Sequence, residues 1–153
     1  MNNTLFLLDL DHTLIYGSYA SSEPSQLLFS YSKYLNVYER PYARELIRAL
    51  QNKGDIIVFT SAKKSYAEQV CEKLAIYPLF LLSRRSCRSD GNGYRKFFKK
   101  EWKMNYKKIV IIDDSPHVWK RVDETIKWII PSAFYGEAND EGLLSVITQL
   151  SYK

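Results

Sequence analysis

Cysteine is scarce in this sequence, and long apolar runs are missing from it. The 153 residues include two cysteines, Cys71 and Cys87. Two are too few for a disulfide framework and lack the spacing of a metal-binding pair, so we interpret both as reduced thiols. No apolar run approaches the roughly 20 residues of a membrane-spanning helix. The start of the chain, MNNTLF, lacks the basic residues and cleavage site of a signal peptide. We therefore expect a protein of the cytoplasm, or of the nucleus where one exists, without a membrane partner.

The composition is that of a globular domain. Hydrophobic residues make up 46% of the chain and charged residues 25%, which excludes an intrinsically disordered protein and a membrane-embedded one. The length suits a single hydrophobic core. We expect one domain over residues 1–153, acting as a monomer.

The net charge of +5 is concentrated in one segment, residues 84–108, which contains two acids and carries a net charge of +8. Its ten basic residues are Arg84, Arg85, Arg88, Arg95, Lys96, Lys99, Lys100, Lys103, Lys107 and Lys108. Such a run is either a solvated face or a surface that attracts anions.

Three short apolar runs, at 4–8, 56–59 and 109–112, predict buried strands of a parallel sheet. They end in the polar clusters DLDHT, TSAKK and DDSPH. Ligands of open α/β sheets bind beyond the carboxyl ends of the strands. The pattern therefore predicts an α/β fold with its functional site at that edge of the sheet.

Apolar stripes at helical spacing predict three helices around these strands. The stripes are Ala43, Leu46, Ile47 and Leu50; Tyr66, Val70 and Leu74; and Leu143, Leu144, Ile147 and Leu150. Pro41 precedes the first helix, and Ser65 with Glu68 predicts a capping box at the start of the second. Residues 128–130 predict a further strand. The tyrosine-rich and serine-rich region at about 15–40 predicts extended segments or a hairpin, an insertion too small to cover the site.

Four acids follow the first and last of the three strands: Asp9, Asp11, Asp113 and Asp114. Residues two apart in an extended strand point the same way, so Asp9 and Asp11 can address one small volume. Carboxylates held together repel each other unless a cation binds between them or one is protonated. Three or four acids in one pocket indicate a hard divalent cation, and Mg²⁺ is the usual ion for phosphate chemistry.

A magnesium site of this kind predicts a phosphoryl substrate. Thr60 or Ser61, at the end of the middle strand, offers a hydroxyl for the phosphate oxygens, and Lys96 offers a cation. Phosphate monoesters hydrolyse very slowly, so a carboxylate nucleophile gains by dividing the reaction through an aspartyl-phosphate.

The order of DLDHT, FTSA, a lysine and IIDDSP resembles that of the haloacid dehalogenase (HAD) superfamily. The stretches VYERPYARELIRAL, FTSAKKSYAEQV and SRRSCRSDGNGYRKFF resemble its carboxy-terminal-domain (CTD) phosphatase branch, the small phosphatases of the NLI interacting factor type. The resemblance extends over nearly the whole chain. It implies a Rossmann-like three-layer α/β core with a central, mostly parallel sheet and a small strand insertion instead of a large cap.

The resemblance also implies roles for single residues. Asp9 is the expected nucleophile, and Asp11 the general acid for the leaving group and then the base that activates water. Thr60 is expected to hydrogen-bond a phosphate oxygen, and Lys96 to neutralise the phosphoryl charge.

The same resemblance implies a magnesium site and a substrate surface. Asp9, the main-chain carbonyl of Asp11, and Asp113 are expected to hold Mg²⁺, with Asp114 in support. Substrate contacts are expected from Thr60 and Lys96 with their neighbours along the rim: Ser61, Tyr66 and Arg84. Tyr66 and Arg84 match positions near the peptide-binding groove of the branch.

Two positions depart from the branch, whose eukaryotic members act on phosphoserine in the repeated tail of RNA polymerase II. Arg85 stands where the branch usually has an acid, and Asp114 where it commonly has asparagine. We expect a Mg²⁺-dependent phosphoserine/phosphothreonine protein phosphatase whose partner is a phosphorylated protein, with a polymerase tail as one candidate.

Two other interpretations stay open. The basic segment and the tyrosines also fit a phosphatase of nucleic-acid ends or nucleotides. A catalytically silent binding module is the third hypothesis, although the complete set of acids, threonine and lysine argues against it. We interpret His12, His117 and the tryptophans, Trp119 among them, as structural.

Overall fold

The computed structural model describes residues 2–151, which form eleven strands and four α-helices. The strands are β1 (Thr4–Leu8), β2 (Ile15–Ser18), β3 (Gln26–Ser30), β4 (Asn36–Glu39), β5 (Asp55–Phe59), β6 (Phe80–Leu82), β7 (Arg88–Ser89), β8 (Tyr94–Phe97), β9 (Lys108–Ile112), β10 (Trp119–Lys120) and β11 (Lys127–Ile129). The helices are α1 (Ala43–Lys53), α2 (Lys64–Leu74), α3 (Glu101–Asn105) and α4 (Gly142–Ser151).

Five strands form a parallel sheet in the order β11-β9-β1-β5-β6. From β1 the chain moves outward through β5 to β6, then crosses back to β9 and continues to β11. The direction of winding thus reverses between β1 and β9, which is where open α/β sheets form their ligand crevice. The predicted α/β fold with a central parallel sheet is confirmed.

The central strand β1 is apolar on both faces because both faces are covered. Phe6 and Leu8 lie in one buried cluster with the apolar stripes of α1, α2 and α4. Leu5 and Leu7 point into a second cluster that includes Trp102 of α3. Burial on both sides explains why β1 is a continuous apolar run, and it holds the end of the strand rigidly.

The helices follow their predicted stripes with two corrections. The capping box is wrong, because α2 begins at Lys64 and its N-cap residue, Lys63, makes no side-chain cap hydrogen bond. The Ser65 hydroxyl instead lies 2.6 Å from the Tyr31 hydroxyl. In α4, Val146 is buried and Leu144 is exposed, so the buried face is rotated from the predicted stripe.

Two small sheets flank the large one. The predicted hairpin at 15–40 is a three-stranded antiparallel sheet in the order β2-β4-β3, and it joins the core through Ile15, Phe29 and Val37. The second small sheet has the order β10-β8-β7. The strand predicted at 128–130 is β11, offset by one residue. Over residues 2–151, no helix has the length and apolarity needed to cross a bilayer.

Candidate active site

Three polar side chains stand one residue beyond the carboxyl ends of adjacent strands. The N–H of Asp9, after β1, donates to the Ile112 carbonyl at 3.0 Å, and the N–H of Thr60, after β5, donates to the Leu82 carbonyl at 2.8 Å. Asp113 follows β9 and is bonded in the same way to β11. Sheet hydrogen bonding therefore continues into the site and fixes all three backbones, and all three residues are buried.

Lys96 lies between two of these acids. Its ammonium donates to Asp9 Oδ1 at 2.9 Å and to Asp113 Oδ2 at 2.7 Å. The strand that carries it, β8, pairs with β10 so that Lys96 is next to Trp119, whose indole N–H donates to Asp113 Oδ2 at 2.9 Å. Lys96, rather than a neighbouring base, is thus the cation that the structure brings to the strand ends.

Burial and the paired charges together set the pKa values of Asp9, Asp113 and Lys96. Desolvation raises the pKa of Asp9 to about 6 against the opposing effect of Lys96. Desolvation and the charge of Asp9 likewise raise the pKa of Asp113 to about 6, again against Lys96. For Lys96, burial acts to lower the pKa, but the two carboxylates outweigh it and hold the pKa above its usual value. The ammonium is therefore charged at neutral pH.

A third carboxylate completes a cluster. Ligand atoms of Asp9, Asp113 and Asp114 all lie within 4.8 Å of one another. Thr13 joins two of them, since its Oγ lies 2.9 Å from Asp9 Oδ2 and 3.0 Å from Asp114 Oδ1. Sequence reasoning gave Thr13 no role, although the DLDHT motif includes it. A hydroxyl has one proton, so it donates to one of these carboxylates at a time.

Among residues 2–151, the carboxylate of Asp11 does not belong to this cluster. It accepts a hydrogen bond from the Tyr66 hydroxyl at 3.0 Å. That Asp9 and Asp11 address one small volume stays a prediction, and the chain turns after Asp11, where His12 has a φ of 65°. Burial raises the pKa of Asp11, and the Tyr66 hydrogen bond opposes that shift.

The main-chain carbonyl of Asp11 is available to a ligand. Within the described residues, no hydrogen bond uses this carbonyl as an acceptor. The backbone of Asp11 therefore fits the expected contribution to a cation, while Asp11 and Tyr66 line an open cavity.

The other predicted site residues line the rim. The Thr60 hydroxyl accepts a hydrogen bond from the Ala62 N–H at 3.1 Å, which leaves its own proton free to donate. Ser61 is exposed, and its carbonyl accepts from Arg84 Nε at 2.9 Å. The Arg84 guanidinium stacks on the Tyr94 ring at 4.9 Å. The structure thus brings Ser61 and Arg84 together beside Thr60.

An open cavity of about 450 Å³ runs from Asp11 along this rim. Three tyrosines, Tyr19, Tyr31 and Tyr66, line it together with Arg84. Tyr66 can lie there because β2 has a glycine opposite it: a Cβ on Gly17 would come within 3.0 Å of the Tyr66 hydroxyl oxygen.

One buried residue outside the predicted set holds the site loop. Arg40 has no exposed surface, pairs with Asp140 at 2.8 Å and donates to the Thr13 carbonyl at 3.0 Å. It also donates to the His12 carbonyl at 3.3 Å. The signal in the sequence was an arginine directly before Pro41, at the end of an apolar strand.

The chain is similar in sequence to two curated phosphatases. The chain is 26% identical over 155 residues to a probable C-terminal domain small phosphatase of Dictyostelium discoideum, covering 94% of this chain and 48% of that protein. It is also 26% identical over 119 residues to an RNA polymerase II C-terminal domain phosphatase of Encephalitozoon cuniculi, covering 75% and 29%. The chain therefore spans about half the length, or less, of these curated relatives.

Solved structures share the fold. The fission yeast RNA polymerase II CTD phosphatase Fcp1 bound to beryllium fluoride superimposes with a TM-score of 0.59 and 16% identity, covering 99% of this chain and 50% of that one. A second Fcp1 structure gives a TM-score of 0.60 and 18% identity, covering 99% and 49%. The family model for NLI interacting factor-like phosphatases matches residues 4–152. With that match over nearly its whole length, the chain belongs to the NLI interacting factor-like phosphatase family.

Proposed function

We propose that this protein is a Mg²⁺-dependent phosphoserine/phosphothreonine protein phosphatase that works through an aspartyl-phosphate. The observation that carries the proposal is the buried Asp9–Lys96–Asp113 arrangement at the switch point of the sheet, with Asp11, two residues after Asp9, lining an open groove. Family membership supports the same reaction class.

The residues present fit a divalent cation. Three clustered carboxylates face a single lysine, which leaves the cluster negative, and a hard cation with oxygen ligands offsets such a charge. Asp9, the carbonyl of Asp11, and Asp113 would hold Mg²⁺, with Asp114 in support through Thr13. When bound, the ion neutralises charge on the phosphoryl oxygens.

In the proposed first step, an oxygen of Asp9 attacks phosphorus, and the bond from phosphorus to the serine or threonine oxygen breaks. Asp11, in its protonated form, gives its proton to the departing oxygen. Lys96 and the free Thr60 proton hold the phosphoryl oxygens and offset their charge as it shifts.

In the second step, water attacks the phosphorus of the aspartyl-phosphate and the bond to Asp9 breaks. Asp11, now ionised, takes the proton from that water, which releases inorganic phosphate and restores both acids. The raised pKa of Asp11 suits this exchange, since burial keeps the protonated form accessible closer to neutral pH.

The shape of the groove supports a protein substrate. No large cap lies over it in residues 2–151, and its volume is about 450 Å³. A phosphorylated side chain on a macromolecule can enter from the side, with flanking residues along Tyr19, Tyr31 and Tyr66. Tyrosines supply both an apolar face and a polar hydroxyl for such contacts.

The basic surface around residues 84–108 motivates a second candidate, a phosphatase of nucleic-acid ends. A panel of phosphopeptides and 3′- or 5′-phosphorylated oligonucleotides, compared by kcat/KM, separates the two. We expect a higher kcat/KM for the phosphopeptides. A clearly higher kcat/KM for the oligonucleotides would show that nucleic-acid ends, and not phosphoproteins, are the substrate class.

The mechanism is tested with an aryl phosphate. Asp9→Asn should abolish hydrolysis, and Glu72→Gln, on the exposed face of α2, should leave it unchanged. Chelation should remove the activity and added Mg²⁺ should restore it.

Added Mg²⁺ should also raise the Tm of the unmodified protein more than that of Asp113→Asn. Retained activity in Asp9→Asn would contradict the mechanism, and tight substrate binding without turnover would favour the silent binding module.

A further inference from the structure

Four of the ten basic residues of segment 84–108, together with Arg121, line one cavity. β7, β8 and the start of α3 enclose a surface cavity of about 410 Å³ together with the residue after β10. We call it the basic pocket. Its cationic lining is Arg88, Lys99, Lys100, Lys103 and Arg121, around the ring of Phe97.

The basic pocket is separate from the candidate active site. Successive side chains of a strand point to opposite faces. Lys96 points inward to Asp9 and Asp113, so its neighbour Phe97 points outward. The same strand therefore contributes one cation to the catalytic centre and the floor of the pocket behind it.

Two guanidinium groups share that floor. Arg88 lies 4.4 Å and Arg121 5.2 Å from the centroid of the Phe97 ring. Stacking on the ring is favourable for each cation, and it places two positive charges at one aromatic side chain. Within residues 2–151 neither takes part in an ion pair.

Strand pairing adds a further sign of an unmet charge. Arg88 is directly opposite Arg95 in the β7–β8 pair, a like-charge pairing that destabilises a sheet. Arg95 is neutralised by Asp90 at 3.0 Å, but Arg88 is not. A bound anion would offset the charge of both Arg88 and Arg121.

We propose that the basic pocket binds a second phosphate group of a multiply phosphorylated protein substrate while another is hydrolysed at Asp9. The proposal rests on the proposed function and deepens it by naming the substrate class. Guanidinium forks match the oxygens of a phosphate monoester and bind it through paired hydrogen bonds.

The lining favours a local phosphate over a continuous nucleic-acid backbone. Glu101 and Asp123 also line the pocket and interrupt its positive surface, so it lacks the continuous cationic track along which a nucleic-acid backbone binds. The face of Phe97 is covered by guanidinium groups, which leaves it unable to stack a base.

The distance can be spanned by a short peptide. The pocket and the candidate active site lie on opposite faces of β8, so a peptide must pass around this strand to reach both. An extended chain covers about 3.3–3.6 Å per residue, so four to eight residues span about 13–29 Å. Peptides with phosphoserines about four, six and eight residues apart therefore bracket the expected spacing.

Affinity for these peptides, measured by calorimetry in the Asp9→Asn background, tests the pocket without relying on turnover. The comparison is between singly and doubly phosphorylated peptides of the same sequence. We expect at least one doubly phosphorylated spacing to bind about tenfold more tightly. Arg88→Gln/Arg121→Gln should remove that preference and leave the affinity for the singly phosphorylated peptide unchanged.

The matched control is Arg48→Gln/Lys73→Gln, which removes the same charge from exposed positions on α1 and α2. This control variant should still bind the doubly phosphorylated peptide more tightly than the singly phosphorylated one. Equal loss in the control, or no preference at any spacing, would overturn the proposal. Loss of oligonucleotide binding without loss of the peptide preference would assign the pocket to nucleic acid instead.

Failure of the basic-pocket proposal can be distinguished from failure of the proposed function. If the unmodified protein hydrolyses no phosphate ester, the function fails, but a preference that depends on Arg88 and Arg121 still establishes the pocket. If aryl phosphate is hydrolysed and the preference is absent, the function stands and the pocket is refuted.

Discussion

The hydroxyl of Thr13 is buried between two carboxylates at the centre of the site. It lies within 3.0 Å of both Asp9 and Asp114 and also accepts the Asp114 N–H at 3.1 Å. It therefore orients the proposed nucleophile and the supporting acid at once. Groups that orient metal ligands commonly affect both activity and metal affinity.

Replacing Thr13 with valine removes this hydroxyl while keeping a similar shape. We expect Thr13→Val to lower kcat for an aryl phosphate by about 10- to 100-fold and to raise the Mg²⁺ concentration needed for half activity. Thr13→Ser keeps the hydroxyl and should retain most of the kcat and most of the Mg²⁺ affinity. Steady-state kinetics over a Mg²⁺ titration gives the two readouts, and a valine variant within twofold of the unmodified protein would refute the orienting role.

Cys71 is predicted to be unreactive in the folded protein. Burial, assisted by the charge of Glu68, raises the pKa of its thiol to about 11. The thiolate is the reactive form, and each unit between the pH and a higher pKa reduces its fraction about tenfold. At pH 8, iodoacetamide should therefore label Cys71 at least about 100-fold more slowly than in the unfolded chain.

The labelling rate should rise with pH toward about 11, because the thiolate fraction grows up to the pKa. Peptide mass spectrometry resolves Cys71 from Cys87, which is half-buried and whose pKa is raised mainly by burial. The same reaction in denaturant is the control. Equal rates in the folded and unfolded chains at pH 8 would show that the site is open.

At the scale of elements, α2 starts without a cap. Lys63 precedes it in an extended conformation, with φ of −64° and ψ of 150°, and makes no side-chain hydrogen bond to the first turn. A cation at this end also faces the positive end of the helix dipole. The helix nevertheless forms because Tyr66, Val70 and Leu74 are buried against the core.

We expect Lys63→Ser to stabilise the protein by about 1 kcal/mol, since serine can accept a hydrogen bond from the first turn. Lys64→Ser is the matched control, because it removes the same charge one residue later, inside the helix, where serine cannot cap. Urea denaturation gives both free energies of unfolding. If Lys63→Ser is no more stable than Lys64→Ser, the missing cap does not limit this helix.

At the scale of the whole molecule, Arg40 connects distant segments. Its guanidinium joins the start of α4 through Asp140, the site loop through the carbonyls of His12 and Thr13, and the segment after β11 through Ser132. Asp140 is 100 positions away in sequence. One buried side chain thus couples the closing helix to the loop that carries the candidate catalytic acids.

Arg40→Met should lower the free energy of unfolding by about 3–5 kcal/mol, because it leaves a mostly buried carboxylate and two carbonyls without their partner. The control is Arg44→Met, four residues later, whose pair with Glu39 is exposed and should cost less than about 1 kcal/mol. Denaturant titrations of both variants decide the point. A similar loss in the two would show that Arg40 is not a structural centre.

Several features were predictable from the sequence because they depend on local pattern. Continuous apolar runs identify strands covered on both faces, and the acids at their ends identify the edge where a ligand binds. The hairpin between β3 and β4 also follows from local composition. These conclusions hold because strand burial and strand direction constrain residues close together in the chain.

Other features were decided by tertiary structure. The Asp11 carboxylate lies outside the cluster of Asp9, Asp113 and Asp114 and is bonded to Tyr66, 55 residues further on. In the sequence the basic segment is a simple charge run, yet strand alternation sends Lys96 inward and Phe97 outward, where Arg88 of β7 and Arg121, after β10, meet it.

The sequence by itself determined the parallel α/β core and the acids and hydroxyl at its carboxyl edge, because each follows from neighbouring residues, whereas the choice of Lys96 among its basic neighbours rested on the resemblance to the family. Only the tertiary structure decided which atoms meet: Lys96 bridging Asp9 and Asp113, Thr13 between two carboxylates, and Arg40 beneath the site loop. These contacts join segments remote in sequence, so they depend on sheet order and register, which local pattern does not specify.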